Sequence, residues 1–453
     1  MEVVNPATNE RIATYEEDST AEVEAALTRA TDAFEQWRDV SLRERQELLV
    51  SAGEVLRDRK REWAELMTRE MGKPISQAVA EVEKCAWLCD HYAEYASVYL
   101  ADDHHPSPPG TTVKTRYDPL GPVLAVMPWN YPFWQVFRFA ATSLTAGNVG
   151  LLKHASNVPG CAMAIEEIFR EAGYPEGVFQ SLLVPSDLVD DIVEDDRVRA
   201  ATLTGSGPAG RAVASTAGAT LKKTVLELGG SDPFVVLDDA DLDAAAETGA
   251  WARNMNGGQS CIAAKRFIVH DAVYDEFLDR LVSEVDSLTV GDPMDEETDV
   301  GPQARQNLMA ELHEQVEASV AAGATLLTGG EPLDRDGAFY PPTILTDVPA
   351  DCPAADEELF GPVAAVFRVG DEEAAIEQAN DTRFGLGASI WTEDRERGER
   401  VAGRVDAGCT YINQYTKSDP RVPFGGVKDS GYGRELSEAG IKEFVNRKTV
   451  WVE

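Results

Sequence analysis

From about residue 120 onward, short apolar runs alternate with stretches of helical periodicity. Six of the runs are predicted to be buried strands: Val123–Met127, Val149–Leu152, Val178–Val184, Val198–Thr204, Thr224–Leu228 and Phe234–Leu237. Helical stretches at 132–146, 159–172 and 207–217 fit between several of them. Parallel strands need a long crossover connection, usually a helix, so this alternation predicts a mainly parallel sheet with helices on its faces.

A second series of the same kind predicts a second lobe. Its strands are predicted near Phe267–Val269, Thr325–Leu327 and Ala364–Arg368, and its helices near 273–287 and 305–322. The predicted fold class is therefore α/β, with two lobes built on mainly parallel sheets. The residues Lys448–Val452 are predicted to form one further strand.

The first hundred residues carry helical signals instead. Ser19 with Glu22, and Ser41 with Glu44, have the spacing of capping boxes, which mark helix N-termini. The helix that opens at Ser41 is predicted to run without a break to Gly72, because glycine commonly ends a helix.

The charge of the chain excludes several classes of partner. Its 453 residues include 41 Lys+Arg and 79 Asp+Glu, which give a formal net charge of −38. Coulomb repulsion then disfavours binding to nucleic acids and to anionic membrane surfaces. The acidic residues are spread along the whole chain, as in proteins adapted to a high-salt cytoplasm, and this predicts a halophilic protein.

Compartment and metal content are predicted from what the sequence lacks. Residues 1–15 have no apolar run typical of a signal peptide, and no stretch approaches the roughly 20 apolar residues that span a bilayer. The six cysteines are too scattered for a disulfide scaffold, and no Cys or His pair completes a metal site. We therefore expect a cytoplasmic protein with free thiols and no metal.

Two glycine-rich turns are candidates for chemistry. Gly205, Gly207 and Gly210 follow a predicted strand and open a predicted helix, a pattern that lets backbone N–H groups approach a pyrophosphate but also occurs in ordinary turns. Glu227 lies 22 residues beyond Gly205, which is the spacing of a ribose ligand. Cys261 ends the second glycine-rich turn as a candidate nucleophile, for which Glu227 is a possible base. The residues alone leave both roles of Glu227 open.

Seven separated motifs resemble those of the NAD(P)-dependent aldehyde dehydrogenase superfamily. They are Pro128-Trp129-Asn130-Tyr131-Pro132, Lys153, Gly205-Ser206, Glu227-Leu228-Gly229-Gly230, Gly258-Gln259-Ser260-Cys261, Glu358-Leu359-Phe360-Gly361-Pro362 and Pro423-Phe424-Gly425-Gly426. The resemblance runs from about Asn5 to Val452. Within the superfamily the chain is most similar to the shorter succinate-semialdehyde dehydrogenases, through residues 151–155 and 228–234.

The resemblance implies a role for each matching residue. Cys261 matches the nucleophile, Glu227 the general base and Asn130 the side-chain donor to the oxyanion. The residues that match cofactor contacts are Trp129, Lys153, Gly205, Ser206, Leu228, Glu358 and Phe360. The implied reaction is oxidation of an aldehyde to its acid through a thiohemiacetal and a thioester on Cys261.

The resemblance also implies the domain organisation. Residues 1–100 and 120–229 would form a nucleotide-binding domain, 230–429 a catalytic domain, and 101–119 with 430–453 a small β bridging segment. The strands at Thr111–Tyr117 and Lys448–Val452 would add to the sheet of a neighbouring subunit, which implies a homodimer or homotetramer.

Substrate choice is predicted from the helix that follows Pro132. Arg138 is the only charge in an otherwise apolar stretch, eight residues after Asn130 and four after Trp134. A buried guanidinium needs an anion, which is either a structural Asp or Glu or the distal carboxylate of a substrate. Ser418 matches a serine that assists this arginine in similar enzymes, although Asp419 beside it would repel a carboxylate if it pointed inward.

Cofactor choice is predicted from Ser156. Members of the family that prefer NAD often carry Glu at this position, three residues after the lysine, where it repels a 2′-phosphate. Ser156 with Lys153 accommodates that phosphate, so we expect NADP or NAD, with NADP accepted. Glutarate or 2-oxoglutarate semialdehyde, or a broad range of aliphatic aldehydes, are alternative substrates. A catalytically silent binding homologue is a further alternative.

The distributed acidic charge predicts a salt requirement. Raising KCl from about 50 mM to about 2 M shortens the screening length to a few ångströms, so we expect activity or the unfolding temperature to rise. Thermal unfolding and initial rates at both salt concentrations check this expectation. Full stability and activity at about 50 mM KCl would contradict it.

Overall fold

The computed structural model describes residues 1–453. The chain opens with a hairpin and four helices: β1 (Glu2–Val4), β2 (Arg11–Thr14), α1 (Thr20–Trp37), α2 (Leu42–Asp58), α3 (Lys60–Met71) and α4 (Ile75–Tyr99). Both predicted capping boxes are present, at Ser19 with Glu22 and at Ser41 with Glu44. Gly72 ends α3 with φ of +81°, as the sequence predicts.

The helix predicted from Ser41 to Gly72 is wrong as a single element. Arg59, with φ of −114° and ψ of 22°, separates α2 from α3. Its guanidinium bonds Glu62 at 2.7 Å, Glu167 at 2.9 Å and Glu171 at 2.7 Å. Two of these partners lie more than a hundred residues away in the chain, so the local helical periodicity could not predict the break at Arg59.

The middle of the chain builds the first α/β lobe. Its elements are β3 (Asp103–His105), β4 (Thr112–Pro119), β5 (Pro122–Met127), α5 (Trp134–Ala146), β6 (Val149–His154), α6 (Pro159–Glu171), β7 (Phe179–Ser181), α7 (Val189–Glu194), β8 (Ala200–Thr204), α8 (Gly207–Ala219) and β9 (Lys223–Glu227). A 3-10 turn covers Ser186–Leu188. The predicted strand at Val178–Val184 is shortened to three residues.

The remaining residues build the second lobe and the C-terminal strands. These elements are β10 (Asp232–Val236), α9 (Leu242–Asn254), β11 (Ala264–His270), α10 (Tyr274–Asp286), α11 (Gln306–Ala322), β12 (Thr325–Thr328), β13 (Thr343–Thr346), α12 (Pro353–Asp356), β14 (Val363–Val369), α13 (Glu372–Asn380), β15 (Gly387–Trp391), α14 (Arg395–Ala402), β16 (Cys409–Ile412), β17 (Gly431–Tyr432), α15 (Ser437–Ile441) and β18 (Val445–Val452). Short 3-10 turns cover Met255–Gly258 and Lys428–Ser430.

The first sheet has the strand order β17-β9-β8-β5-β6-β7. All neighbours are parallel except β17, which pairs with β9 in the antiparallel sense. The chain runs outward from β5 through β6 to β7 and then returns to β8 and β9 on the other side. Ligands of such sheets bind beyond the carboxyl ends of the strands at this switch point. The sequence motifs at 128–130, 205–206 and 228–230 all follow strands at that edge.

The second sheet has the order β12-β13-β14-β11-β10-β15-β16 and is parallel except for β12. Side chains of β10 alternate between two separate apolar clusters. Phe234 and Val236 belong to one, while Val235 and the adjoining Leu237 belong to the other. Helices therefore cover both faces of the sheet, which confirms the predicted α/β class with two lobes built on parallel sheets.

A third sheet joins β18, β4 and β3 in the antiparallel sense. Strand β18 pairs with β4 from Val445 opposite Pro119 to Val452 opposite Thr112, so the predicted C-terminal strand is confirmed and is longer than expected. Its partner is a strand of its own chain. No helix of the protein combines the length and apolar composition needed to cross a membrane.

Candidate active site

A strained turn positions Cys261 ahead of β11. Asn256, Gly257 and Gly258 have φ values of +55°, +62° and +72°. A Cβ on Gly258 would lie 2.3 Å from the carbonyl carbon of Gly361, so only glycine fits this close approach. The Lys265 ammonium donates to the carbonyl oxygens of Ser260 and Cys261, at 2.8 and 2.9 Å. These contacts hold the backbone around the thiol.

Asn130 reaches the Cys261 turn from the end of β5. It is buried, and its side-chain nitrogen donates one hydrogen to the carbonyl oxygen of Gln259 at 3.1 Å. The Asn256 side chain donates to the Asn130 carbonyl oxygen at 2.8 Å. An amide nitrogen carries two hydrogens, so one N–H of Asn130 remains for a ligand at this turn.

Glu227 lies buried at the end of β9, with 2% of its surface exposed and no hydrogen bond to either carboxylate oxygen. A Cβ on Gly425 would lie 2.6 Å from its Oε1. Burial, followed by the charge of Glu435, raises the pKa of Glu227 well above its usual value. A buried carboxylate with a raised pKa can take part in proton transfer.

A small cavity joins the two lobes at the thiol. Its volume is about 90 Å³, and it is lined by Cys261, Tyr131 and the three residues predicted to bind substrate, Trp134, Arg138 and Ser418. Elements of the first lobe therefore face the loop of Ser418 from the C-terminal half. The cavity has room for a small aliphatic aldehyde.

Arg138 has a protein partner as well as a place in the cavity wall. Its guanidinium pairs with Glu435 at 2.7 Å, and it also bonds the side chain of Gln135. Of the two alternatives raised by the sequence, the structural carboxylate is present as Glu435, while Arg138 also lines the cavity. The sequence did not predict Glu435 as the partner of Arg138, because the two residues lie almost 300 residues apart in the chain.

Ser418 connects the cavity to a lysine that sequence reasoning missed. Its hydroxyl accepts from the Trp134 indole N–H at 2.9 Å and from the Lys84 ammonium at 3.0 Å. Asp419 instead bonds the Arg421 side chain at 2.6 and 2.8 Å, and it is absent from the cavity wall. Asp419 therefore does not point into the cavity, which was the condition for it to repel a carboxylate there.

A buried carboxylate sets the position of α5. Glu81 accepts the backbone N–H groups of Phe133 and Trp134, each at 2.9 Å, and its other oxygen pairs with the buried Lys73. A carboxylate at this end complements the helix dipole and satisfies N–H groups that have no partner within the helix. Glu81 thus holds the helix that carries Trp134 and Arg138.

The turns at the switch point suit a nucleotide. Helix α8 begins after Ser206 without a side-chain cap, which leaves its first N–H groups available to a phosphate. A Cβ on Gly210 would lie 2.5 Å from Leu228 Cδ2, so glycine is needed for this packing. Lys153 forms no ion pair and donates to Ser186 Oγ at 3.4 Å, and burial lowers its pKa.

The remaining residues matched to cofactor contacts lie at the same edge. Ser156 is exposed in the turn after β6. The Trp129 and Phe360 rings meet edge to face at 5.8 Å. Glu358 accepts the Gly230 N–H at 3.0 Å and lies 3.5 Å from the Lys265 ammonium. The residues at this edge therefore fit a phosphate-bearing dinucleotide, and no cluster of His, Cys, Asp and Glu could hold a metal ion.

The thiol is not ionised by its surroundings alone. Burial raises the pKa of Cys261 to about 12, and the charges of Arg138 and Lys265 oppose this rise. A thiolate is the reactive form of a cysteine, so a reaction at this sulfur would require a base.

The chain belongs to the aldehyde dehydrogenase family, whose model matches residues 1–450. It is 54% identical over 449 residues to a "Probable succinate-semialdehyde dehydrogenase [NADP(+)]" of Synechocystis sp., with 99% of each chain covered. It is 50% identical over 456 residues to "Succinate-semialdehyde dehydrogenase [NADP(+)] 1" of Mycobacterium bovis, again with 99% of each covered. The crystal structure of succinic semialdehyde dehydrogenase from Streptococcus pyogenes in complex with NADP+ is similar with a TM-score of 0.97 and 38% identity, covering 100% of this chain and 99% of that chain.

The Glu81–Lys73 pair generates a stability prediction. The substitution Glu81→Gln keeps an oxygen for the two N–H groups but leaves the Lys73 charge buried and unpaired. We expect the free energy of unfolding to fall by about 3–5 kcal/mol, measured by urea denaturation.

The control lies on the same helix. Glu83→Gln breaks the exposed pair with Lys60, so we expect a loss below about 1 kcal/mol. Adding Lys73→Met to Glu81→Gln removes both buried charges and should recover most of the loss. Equal effects of Glu81→Gln and Glu83→Gln would contradict this role of the buried pair.

Proposed function

We propose that the protein oxidises succinate semialdehyde to succinate with NADP+ as hydride acceptor. The observation that carries this proposal is the cavity at Cys261, whose charged lining residues are Lys84, Arg138 and Lys417 without any Asp or Glu. A cationic cavity in a chain of net charge −38 suits a small anionic aldehyde. The printed names of the relatives in Synechocystis sp. and Mycobacterium bovis support the same substrate and cofactor.

The proposed reaction starts with attack of the Cys261 sulfur on the aldehyde carbon. The thiol proton leaves to a base, and the carbonyl oxygen becomes the oxyanion of a thiohemiacetal. The free N–H of Asn130 and the backbone N–H of Cys261 donate to that oxyanion. A single donor of this kind contributes on the order of 3 kcal/mol to the transition state.

Collapse of the thiohemiacetal yields a thioester on Cys261. NADP+ supplies the hydride acceptor for this step when it is bound. Glu227 then takes a proton from water, and the hydroxide releases the carboxylic acid and returns the thiol. The raised pKa of Glu227 makes its carboxylate a stronger base than an exposed glutamate.

We assign the cofactor to the edge of the first sheet. Trp129, Phe360 and Glu358 would face its nicotinamide half, whereas Gly205, Ser206 and Leu228 line the turn at α8. Lys153 and Ser156 would meet the adenosine ribose and its 2′-phosphate. Lys153 supports this assignment because it has no carboxylate partner of its own.

We also propose the larger organisation that the family resemblance implies. Residues 1–100 and 120–229 bind the cofactor, 230–429 carry the nucleophile, and 101–119 with 430–453 bridge subunits of a homodimer or homotetramer. The exposed edge of β18, with Trp451 57% exposed, is available for such pairing. We further propose that the protein is cytoplasmic and adapted to high salt.

The proposed function predicts a substrate preference and a covalent intermediate. We expect kcat/KM for succinate semialdehyde to exceed that for butanal by at least about 100-fold with NADP+, because only the former has a distal carboxylate. We expect Cys261→Ser to have almost no turnover and Glu227→Gln to give one burst of NADPH followed by stalled hydrolysis. Stopped-flow fluorescence of NADPH measures the burst and the steady rate of turnover in each variant.

The outcomes separate the parts of the proposal. Comparable kcat/KM values for butanal and succinate semialdehyde would refute the substrate assignment, and a higher value for glutarate semialdehyde would replace it. Steady turnover in Glu227→Gln at the wild-type rate would remove Glu227 as the base. A tenth of wild-type activity in Cys261→Ser would refute the covalent route.

Cofactor preference is tested at Ser156. The substitution Ser156→Glu places a negative charge beside the expected 2′-phosphate, so we expect the NADP/NAD ratio of kcat/KM to fall at least about tenfold. Ser283→Glu adds the same charge at an exposed position of α10, in the second lobe, and serves as the control. An unaltered NADP/NAD ratio in Ser156→Glu would contradict this placement of the phosphate.

A further inference from the structure

Lys84 lines the same cavity as Cys261. It lies on α4, one turn beyond Glu81, and is partly buried. Its ammonium donates to Ser418 Oγ at 3.0 Å and lies 4.2 Å from the centre of the Trp134 ring. It forms no ion pair with any Asp or Glu.

The two other charged side chains that line the cavity already contact groups of the protein. Arg138 is paired with Glu435 at 2.7 Å, so the guanidinium and the carboxylate together contribute no net charge. The Lys417 ammonium lies over the Tyr415 ring at 5.6 Å. Lys84 is therefore the uncompensated cation that shares its contacts with the substrate-facing residues Trp134 and Ser418.

An unpaired ammonium in a small cavity is unfavourable until an anion meets it. A carboxylate placed against Lys84 would complete this pairing and would also accept from the Ser418 hydroxyl. The cavity joins this position to Cys261, so one short chain can present its aldehyde to the sulfur and its carboxylate to Lys84.

We propose that Lys84, together with the Ser418 hydroxyl, directly binds the distal carboxylate of the substrate and is the main determinant of selectivity for ω-carboxy aldehydes. This inference rests on the proposed function and deepens it. Arg138 then acts beside Lys84 with its charge balanced by Glu435. Binding restores the charge balance of Lys84, which an uncharged aldehyde cannot do.

The role of Lys84 also predicts that substrate selectivity depends on pH, because only the protonated ammonium attracts a carboxylate. Burial and then the charge of Arg138 lower the pKa of Lys84 to about 8. Glu81, Asp419 and the Cys85 thiol are the acidic groups that face it, and their charges oppose the shift. Selectivity should therefore be full below about pH 7 and should decline as pH rises through 8 and Lys84 loses its proton.

The first test is the substitution Lys84→Met, which keeps an unbranched side chain only one atom shorter and removes its charge. We expect the ratio of kcat/KM for succinate semialdehyde over butanal to fall at least 30-fold, which corresponds to about 2 kcal/mol. Lys60→Met makes the same change at an exposed site that does not line the cavity, and it should keep the wild-type ratio. Lys84→Gln, which preserves a donor to Ser418, replaces Lys84→Met if that variant does not fold.

The second test uses the wild-type protein alone. The same kcat/KM ratio is measured from about pH 6 to pH 10, and titrations of the shared groups Cys261 and Glu227 cancel in it. We expect a decline above about pH 8, and the charge-removing variant should abolish this pH dependence.

The possible outcomes separate a failure of the Lys84 proposal from a failure of the proposed function on which it rests. If the wild type prefers succinate semialdehyde but Lys84→Met keeps that preference, or if the wild-type ratio is flat through pH 10, Lys84 is not the anchor and the proposed function stands. If the wild type itself shows no preference over butanal, the proposed function fails and the inference fails with it.

Discussion

The carboxylate of Glu81 links the elements on which the active site depends. It lies on α4, neutralises the buried Lys73, and accepts the first backbone N–H groups of α5. Trp134 and Arg138 lie one turn apart on α5 and both line the cavity, so this interaction holds the helix that forms part of the cavity wall. Because a buried charge with satisfied partners permits few alternative geometries, this contact gives the site a single arrangement.

The chain as a whole is strongly acidic, whereas the charged side chains that line the cavity are all basic. The chain carries a net charge of −38, yet no carboxylate lines the space at the thiol. Arg138, which lines this space, pairs with Glu435, and burial together with the charge of Glu435 raises the pKa of Glu227. The substrate pocket and the proposed base therefore share one buried electrostatic network, in which a change at one member alters the others.

Sequence patterns predicted the parallel strands well where apolar runs were continuous, as in β5, β8 and β10. They did not predict β13, β15 or β16. Strand β15 begins at a glycine, where a side chain would meet Asp232 and Thr416, and its burial comes from neighbours far away in the chain. The break at Arg59 was missed for the same reason, since its partners Glu167 and Glu171 come from another helix.

The sequence alone determined the α/β class and the edge at which its motifs gather, because periodicity and glycine-rich turns are local properties of the chain. It also gave Cys261, Glu227 and Asn130 as the candidate catalytic residues, through motifs that need only a few adjacent residues. Only the tertiary structure decided which charges meet at the cavity. Lys84 contacts Ser418 across more than 300 residues, and Arg138 meets Glu435 across nearly as many, so neither pairing leaves a trace in local spacing.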